Sequence, residues 1–150
     1  CLSLSKFGLP AVRTGIVIAA EPVIKALSGI NAIMNLATGS FGAMLAEPLV
    51  RSGEILSLSR DVVCPFYKAK MERAVAVFRD AMGEDSCRWY VHKPEGAMFL
   101  WLWFPGLPED GWKHRHECLR VTYSQDDERV AEGLRIIADE VKAVWATASP

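Results

Sequence analysis

The chain has 150 residues, 51% of them hydrophobic, enough for one ordinary domain with a real core. A net charge of −1 and a pI near 6.3 exclude a basic field for nucleic acid or an anionic membrane, so any phosphate contact must be a local site. Four scattered cysteines (Cys1, Cys64, Cys87 and Cys118) form no CxxC pair and fit a reduced, cytoplasmic thiol set better than a disulfide scaffold.

The chain starts at Cys1 without a methionine or a signal pattern and reads as a fragment. Its first stretch holds the densest chemistry. Lys6 stands among the hydroxyls of Ser3 and Ser5, with Arg13 seven positions on and Gly15 two beyond that. A lysine amine must be neutral to form a Schiff base, and a neighbouring cation favours that state. Arg13 supplies such a cation, and its planar fork also suits phosphate oxygens, with Ser3 and Ser5 as further donors. On spacing alone, an ordinary surface loop with these residue types is the better reading.

Residues 15–20 form a short apolar run rich in β-branched side chains, which predicts a strand buried on both faces. Pro22 suits the first turn of a helix, and Ser28 with Gly29 predicts its end. Residues 26–46 carry no charge and are long enough to span a bilayer. Their asparagines, glycines and hydroxyls point instead to two buried helical pieces around a turn at Thr38, Gly39 and Ser40.

The longest helical signal covers residues 54–82. Ile55, Leu58, Val62, Phe66, Met71, Val75, Phe78 and Met82 recur at helical spacing, Gly83 supplies a stop, and Pro65 predicts a kink or break. Residues 87–92 and 97–104 read as strands joined by the turn residues 93–96. In the second strand Ala97, Phe99, Trp101 and Trp103 alternate with Met98, Leu100, Leu102 and Phe104, so both faces are apolar and the expectation is a central, covered strand. Residues 119–123 give a third strand. Ser124 is expected to cap a final helix, whose buried stripe is Val130, Leu134, Ile137, Val141 and Val144.

Arg120 lies inside that third strand, where a lone arginine needs an anion if it is buried. A salt bridge to Glu117 or to the last helix is one solution. His114, His116 and Cys118 share a face if the strand extends to them, but no fourth ligand accompanies them. A loop is the better reading, and no metal site is expected.

The run Ser-Leu-Ser-Lys-Phe-Gly-Leu-Pro-Ala-Val-Arg-Thr-Gly at residues 3–15 resembles the cofactor-lysine signature of fold-type I aminotransferases, most closely the valine–pyruvate branch. The likeness continues through Lys-Pro-Glu-Gly-Ala-Met-Phe-Leu-Trp-Leu-Trp-Phe at 93–104 and Glu-Cys-Leu-Arg-Val-Thr-Tyr at 117–123. It implies an α/β fold: residues 1–53 as the C-terminal portion of a large α/β/α domain, then 54–150 as a long linking helix and a small α+β domain. It implies pyridoxal 5′-phosphate as cofactor, Lys6 as its covalent and catalytic lysine, and Ser3, Ser5 and Arg13 as further cofactor-binding residues. Arg120 matches the arginine that clamps the substrate α-carboxylate. A ping-pong transfer follows, between a valine- or alanine-type amino acid and a 2-oxo acid such as pyruvate, in a cytoplasmic homodimer without nucleic-acid or membrane partners.

Two departures accompany the likeness. The large domain that precedes the lysine in the family is missing here, and so are a helix and strand normally found after the tryptophan-rich strand. A fragment inactive by itself is the expectation. An effector-binding domain of a transcriptional regulator, with the same fold but no turnover, and a non-catalytic remnant are the alternatives.

Overall fold

The computed structural model describes residues 1–36, 38–83, 87–105 and 118–148. It divides into two compact units, Cys1–Cys64 and Pro65–Pro150.

In the first unit, β1 (Leu2–Ser3) pairs antiparallel with β2 (Gly15–Ile16), Leu2 opposite Ile16 and Ser3 opposite Gly15. Two 3-10 turns, Leu4–Phe7 and Pro10–Val12, fill the intervening loop. Helix α1 (Glu21–Asn35) opens with Pro22 in its first turn, and helix α2 (Phe41–Ser52) ends at Gly53, whose positive φ of 77° closes the last turn. Short α3 (Glu54–Leu58) follows. A small core of Leu4, Ala46 and Ile55 forms, with Phe7, Leu9, Val12, Ile16 and Leu49 around it.

Three expectations are corrected in this unit. Only Gly15 and Ile16 of the run 15–20 pair as a strand, and Ile18 is 78% exposed. Helix α1 does not stop at Ser28 and Gly29 but continues to Asn35, where the Asn35 side chain donates to that of Asn31 at 2.6 Å. A mid-helix glycine costs only about 1 kcal/mol, too little to end a helix whose backbone bonds continue. The 26–46 segment is buried only in part: Gly42 and Ala46 of α2 are covered, whereas α1 has no buried residue and Ile33, Met34 and Phe41 stand largely exposed. No described helix is long and apolar enough to cross a membrane.

Pro65 leaves its mark one turn upstream. It has no N–H to offer the Asp61 carbonyl, and its ring would press on that carbonyl in a regular helix. The backbone widens into a π turn at Ser59–Val63, with the Cys64 N–H reaching the Ser59 carbonyl. Helix α4 (Cys64–Met82) then runs to Gly83, which has φ 71° and closes onto Arg79.

In the second unit, β3 (Tyr90–Val91), β4 (Phe99–Trp103) and β5 (Cys118–Thr122) form an antiparallel sheet in that order. One sheet face packs on α4 and on α5 (Asp127–Ala148). Ala74, Phe78 and Met82 of α4 recur every four residues and meet Leu100 and Leu102 of β4, Phe104, and Leu134, Ala138 and Val141 of α5. Phe78 also meets the Trp89 ring edge-on at 5.2 Å. Each large side chain fully buried here stabilises the unit by about 1.5–3 kcal/mol.

Strand β4 is central as expected, but only one face is covered. Leu100 and Leu102 are buried, whereas Phe99, Trp101 and Trp103 remain exposed on the other side. Of the expected helical stripe Phe78 and Met82 are buried and Met71 and Val75 half-buried, but Val62 within the π turn and Phe66 just after it are exposed. Ser124 does not cap α5; its hydroxyl lies 2.9 Å from that of Thr122, and the first helical bond runs from the Val130 N–H to the Asp126 carbonyl.

Asp127 instead anchors the start of α5. Its two oxygens accept from Lys70 at 2.6 Å and Arg73 at 2.9 Å, and the Lys70 side chain is almost wholly buried. The Lys70 hydrogen bond, above all, holds the Asp127 carboxyl below its usual value against an opposing desolvation, with the Arg73 charge assisting. A carboxyl lowered in the folded state stabilises above its unfolded pKa of about 4, and that stability is lost as pH falls through the lowered value. In the full-length chain Asp127→Asn should therefore lower the urea midpoint at pH 7, with the gap from wild type closing below about pH 4. A gap independent of pH would remove the ion pair as its cause.

Candidate functional site

The β1–β2 pairing does for the first unit what sequence spacing could not. It folds the chain back so that the Ser3–Lys6 stretch runs beside Arg13 to Gly15, with the Leu4 N–H donating to the Thr14 carbonyl at 3.1 Å. Ser5 is buried, while Ser3, Lys6 and Arg13 are exposed. Lys6 occupies the last turn of the 3-10 segment Leu4–Phe7, which Gly8 closes at φ 99° through its N–H to the Leu4 carbonyl. A side chain at Gly8 would be strained and would also crowd Val63 at 3.1 Å.

Arg13 is held in the left-handed region at φ 47°, uncommon for a residue with a side chain. Its N–H reaches the Pro10 carbonyl at 3.4 Å, and the next residue, Thr14, turns its hydroxyl onto the Val12 carbonyl at 2.9 Å. Helix α2 backs this turn through Gly42. A Cβ there would collide with the Thr14 hydroxyl and the Val12 carbonyl, so only glycine lets the helix approach so closely. Backbone strain held by packing from behind is a recurrent feature of ligand-binding turns.

Arg120 sits in the second unit on β5, directly opposite Trp101 of β4. It is exposed, not buried, so the desolvation that was expected to demand an anion does not arise. Its guanidinium carbon lies 4.8 Å from the centre of the Phe99 ring. Among the described residues no carboxylate pairs with it, which sets aside the bridge to the last helix; Glu117 lies outside the described residues. His114 and His116 of the expected face-sharing trio also lie outside them.

Sequence reasoning missed three contributors. Gly42 stands 28 residues beyond Thr14 in an ordinary helix, and nothing local marks it. Phe99 has the alternation of a core residue, and only the strand register brings it to Arg120. Tyr123 carries a buried ring whose hydroxyl donates to the Ala97 carbonyl at 2.8 Å, and burial, with Tyr67 nearby, raises its pKa above the usual tyrosine value.

Against known proteins, the model of the family described as aminotransferase class I and II matches residues 1–141. The valine–pyruvate aminotransferase of Escherichia coli K12 is 35% identical over 173 residues, taking in 97% of this chain and 41% of its own length. That match is longer than the 150 residues of this chain, so the relative carries residues without counterparts here. The crystal structure of valine–pyruvate aminotransferase from Salmonella typhimurium LT2 superposes with a TM-score of 0.80 at 34% identity, covering 96% of this chain and 44% of that one. An alpha-aminoadipate aminotransferase from Thermus thermophilus, complexed with N-(5′-phosphopyridoxyl)-L-leucine, shares the fold at a TM-score of 0.74 and 22% identity over 97% of this chain and 42% of its own. The chain spans about two fifths of the length of these relatives.

Proposed function

The chain belongs to the class I and II aminotransferases, and on that premise we propose that it is the C-terminal part of a pyridoxal phosphate-dependent enzyme of the valine–pyruvate type. The full-length enzyme exchanges the amino group of a valine- or alanine-type amino acid with a 2-oxo acid such as pyruvate. The observation that carries this reading is the β1–β2 closure, which sets an amine, two hydroxyls and a guanidinium on adjoining stretches of one strained loop.

That donor set fits the cofactor. Lys6 would hold its aldehyde end, and Arg13 with Ser3 and Ser5 its phosphate. Bound there, pyridoxal phosphate supplies the electron sink that lets an α-proton leave an amino acid. The Lys6 amine would be the group that takes that proton and returns it. Arg120 grips the α-carboxylate, the group common to every amino-acid and 2-oxo-acid substrate.

Residues 1–53 correspond in this reading to the end of the large cofactor domain, and 54–150 to the linking helix and small domain. The exposed apolar faces of α1 and α2 would be covered in a cytoplasmic homodimer or by the large domain, and the 150-residue chain alone is inactive.

Borohydride reduction of the full-length holoenzyme followed by peptide mapping tests the reading. A pyridoxyl group on Lys6 is expected; one on Lys25 or Lys68 would refute it. Arg13→Ala keeps a side chain in the left-handed turn but removes the fork, and should weaken cofactor binding by about 1.5–3 kcal/mol. Unchanged affinity would take Arg13 out of the phosphate site.

A further inference from the structure

On the uncovered face of the three-stranded sheet, Arg120 has three aromatic neighbours, Trp101 directly across the ladder and Phe99 and Trp103 on its two diagonals. The guanidinium takes the first diagonal and stacks over Phe99. Phe99 is itself fixed from below. Ala97 holds a positive φ of 64°, its carbonyl accepts from the buried Tyr123 hydroxyl, and the Met98 carbonyl accepts both the Tyr123 N–H and the Thr122 hydroxyl at 3.1 Å. The start of β4 is thereby fastened to the end of β5, which fixes the backbone that carries Phe99.

An arginine side chain has many rotamers, and each one given up on binding costs affinity. A cation resting on an aromatic face has fewer to lose, and the stack leaves the N–H edges of the guanidinium open to an anion. We propose that Phe99 is a positioning residue for Arg120, presetting its fork for a substrate carboxylate. This rests on the reading of Arg120 as the carboxylate clamp.

The test uses the full-length holoenzyme and 3-methylbutanoate, a carboxylate with no amine to react, titrated by calorimetry. Phe99→Leu keeps an apolar, half-exposed side chain but removes the ring. Its Kd should rise about three- to thirty-fold, the span of a cation–π contact, with KM for alanine rising more than kcat falls. Phe99→Tyr should restore both, and the cofactor absorbance and melting midpoint should stay at wild-type values. An unchanged Kd in Phe99→Leu, or a loss that Phe99→Tyr does not restore, overturns the proposal. Arg120→Lys run in parallel separates the two layers. If it leaves 3-methylbutanoate binding intact, the clamp and the positioning role both fall; if it weakens binding while Phe99→Leu does not, only the positioning role falls.

Discussion

Replacing Lys6 by Ala in the full-length chain is expected to lower transamination by about 10⁴-fold, the upper range for loss of a positioned acid–base group. The loss is large because one amine has two roles in the proposed cycle, the covalent hold on the cofactor and the carriage of the α-proton. Lys6→Arg should fare no better despite keeping the positive charge. A guanidinium does not deprotonate in a protein, so it can neither attack an aldehyde nor take a proton. Cofactor retention should fall much less than turnover, since Arg13, Ser3 and Ser5 remain. Single-turnover absorbance with alanine, alongside a cofactor titration, measures both quantities. Turnover within about tenfold of wild type in either variant would remove Lys6 from the chemistry.

Arg120→Lys carries the second large effect. Lysine keeps the charge but replaces a planar fork by a point charge, and bidentate pairing with a carboxylate is lost. The expected cost is about 2–4 kcal/mol in kcat/KM, roughly thirty-fold to a thousand-fold, and it should be similar for every amino acid and 2-oxo acid tested. Stability should barely change, because the residue is exposed and has no ion pair among the described residues. A lower melting midpoint with intact kcat/KM would make Arg120 a structural residue.

These two predictions differ in what stands behind them. Residue chemistry and likeness to a family motif single out Lys6 and Arg13. Their adjacency on one loop comes from a pairing between two-residue strands, too short to be seen in any hydrophobic pattern. For Arg120 the residue type suggests an anion, but the expectation of burial is wrong. A strand's alternation separates two faces without saying whether anything covers them. Phe99, Trp101 and Trp103 are as apolar as Leu100 and Leu102, yet only the latter two meet α4 and α5.

What the sequence determined by itself is what depends on near neighbours. Pro22 near a helix start, Gly83 at a helix end, a disturbance beside Pro65 and the α5 stripe at Leu134 and Val141 all follow from backbone sterics or from a period of 3.6 residues. The motif around Lys6 likewise sufficed to indicate the family. Tertiary structure alone decided which β4 face is covered, that Val62 and Phe66 fall outside the buried stripe, why Gly42 must lack a side chain, and that Arg120 rests on Phe99 and not on the tryptophan opposite it. Each of these depends on an element arriving from far along the chain. A residue's periodicity fixes its direction about its own axis, but the partner it meets is set by packing and register, which no local pattern encodes.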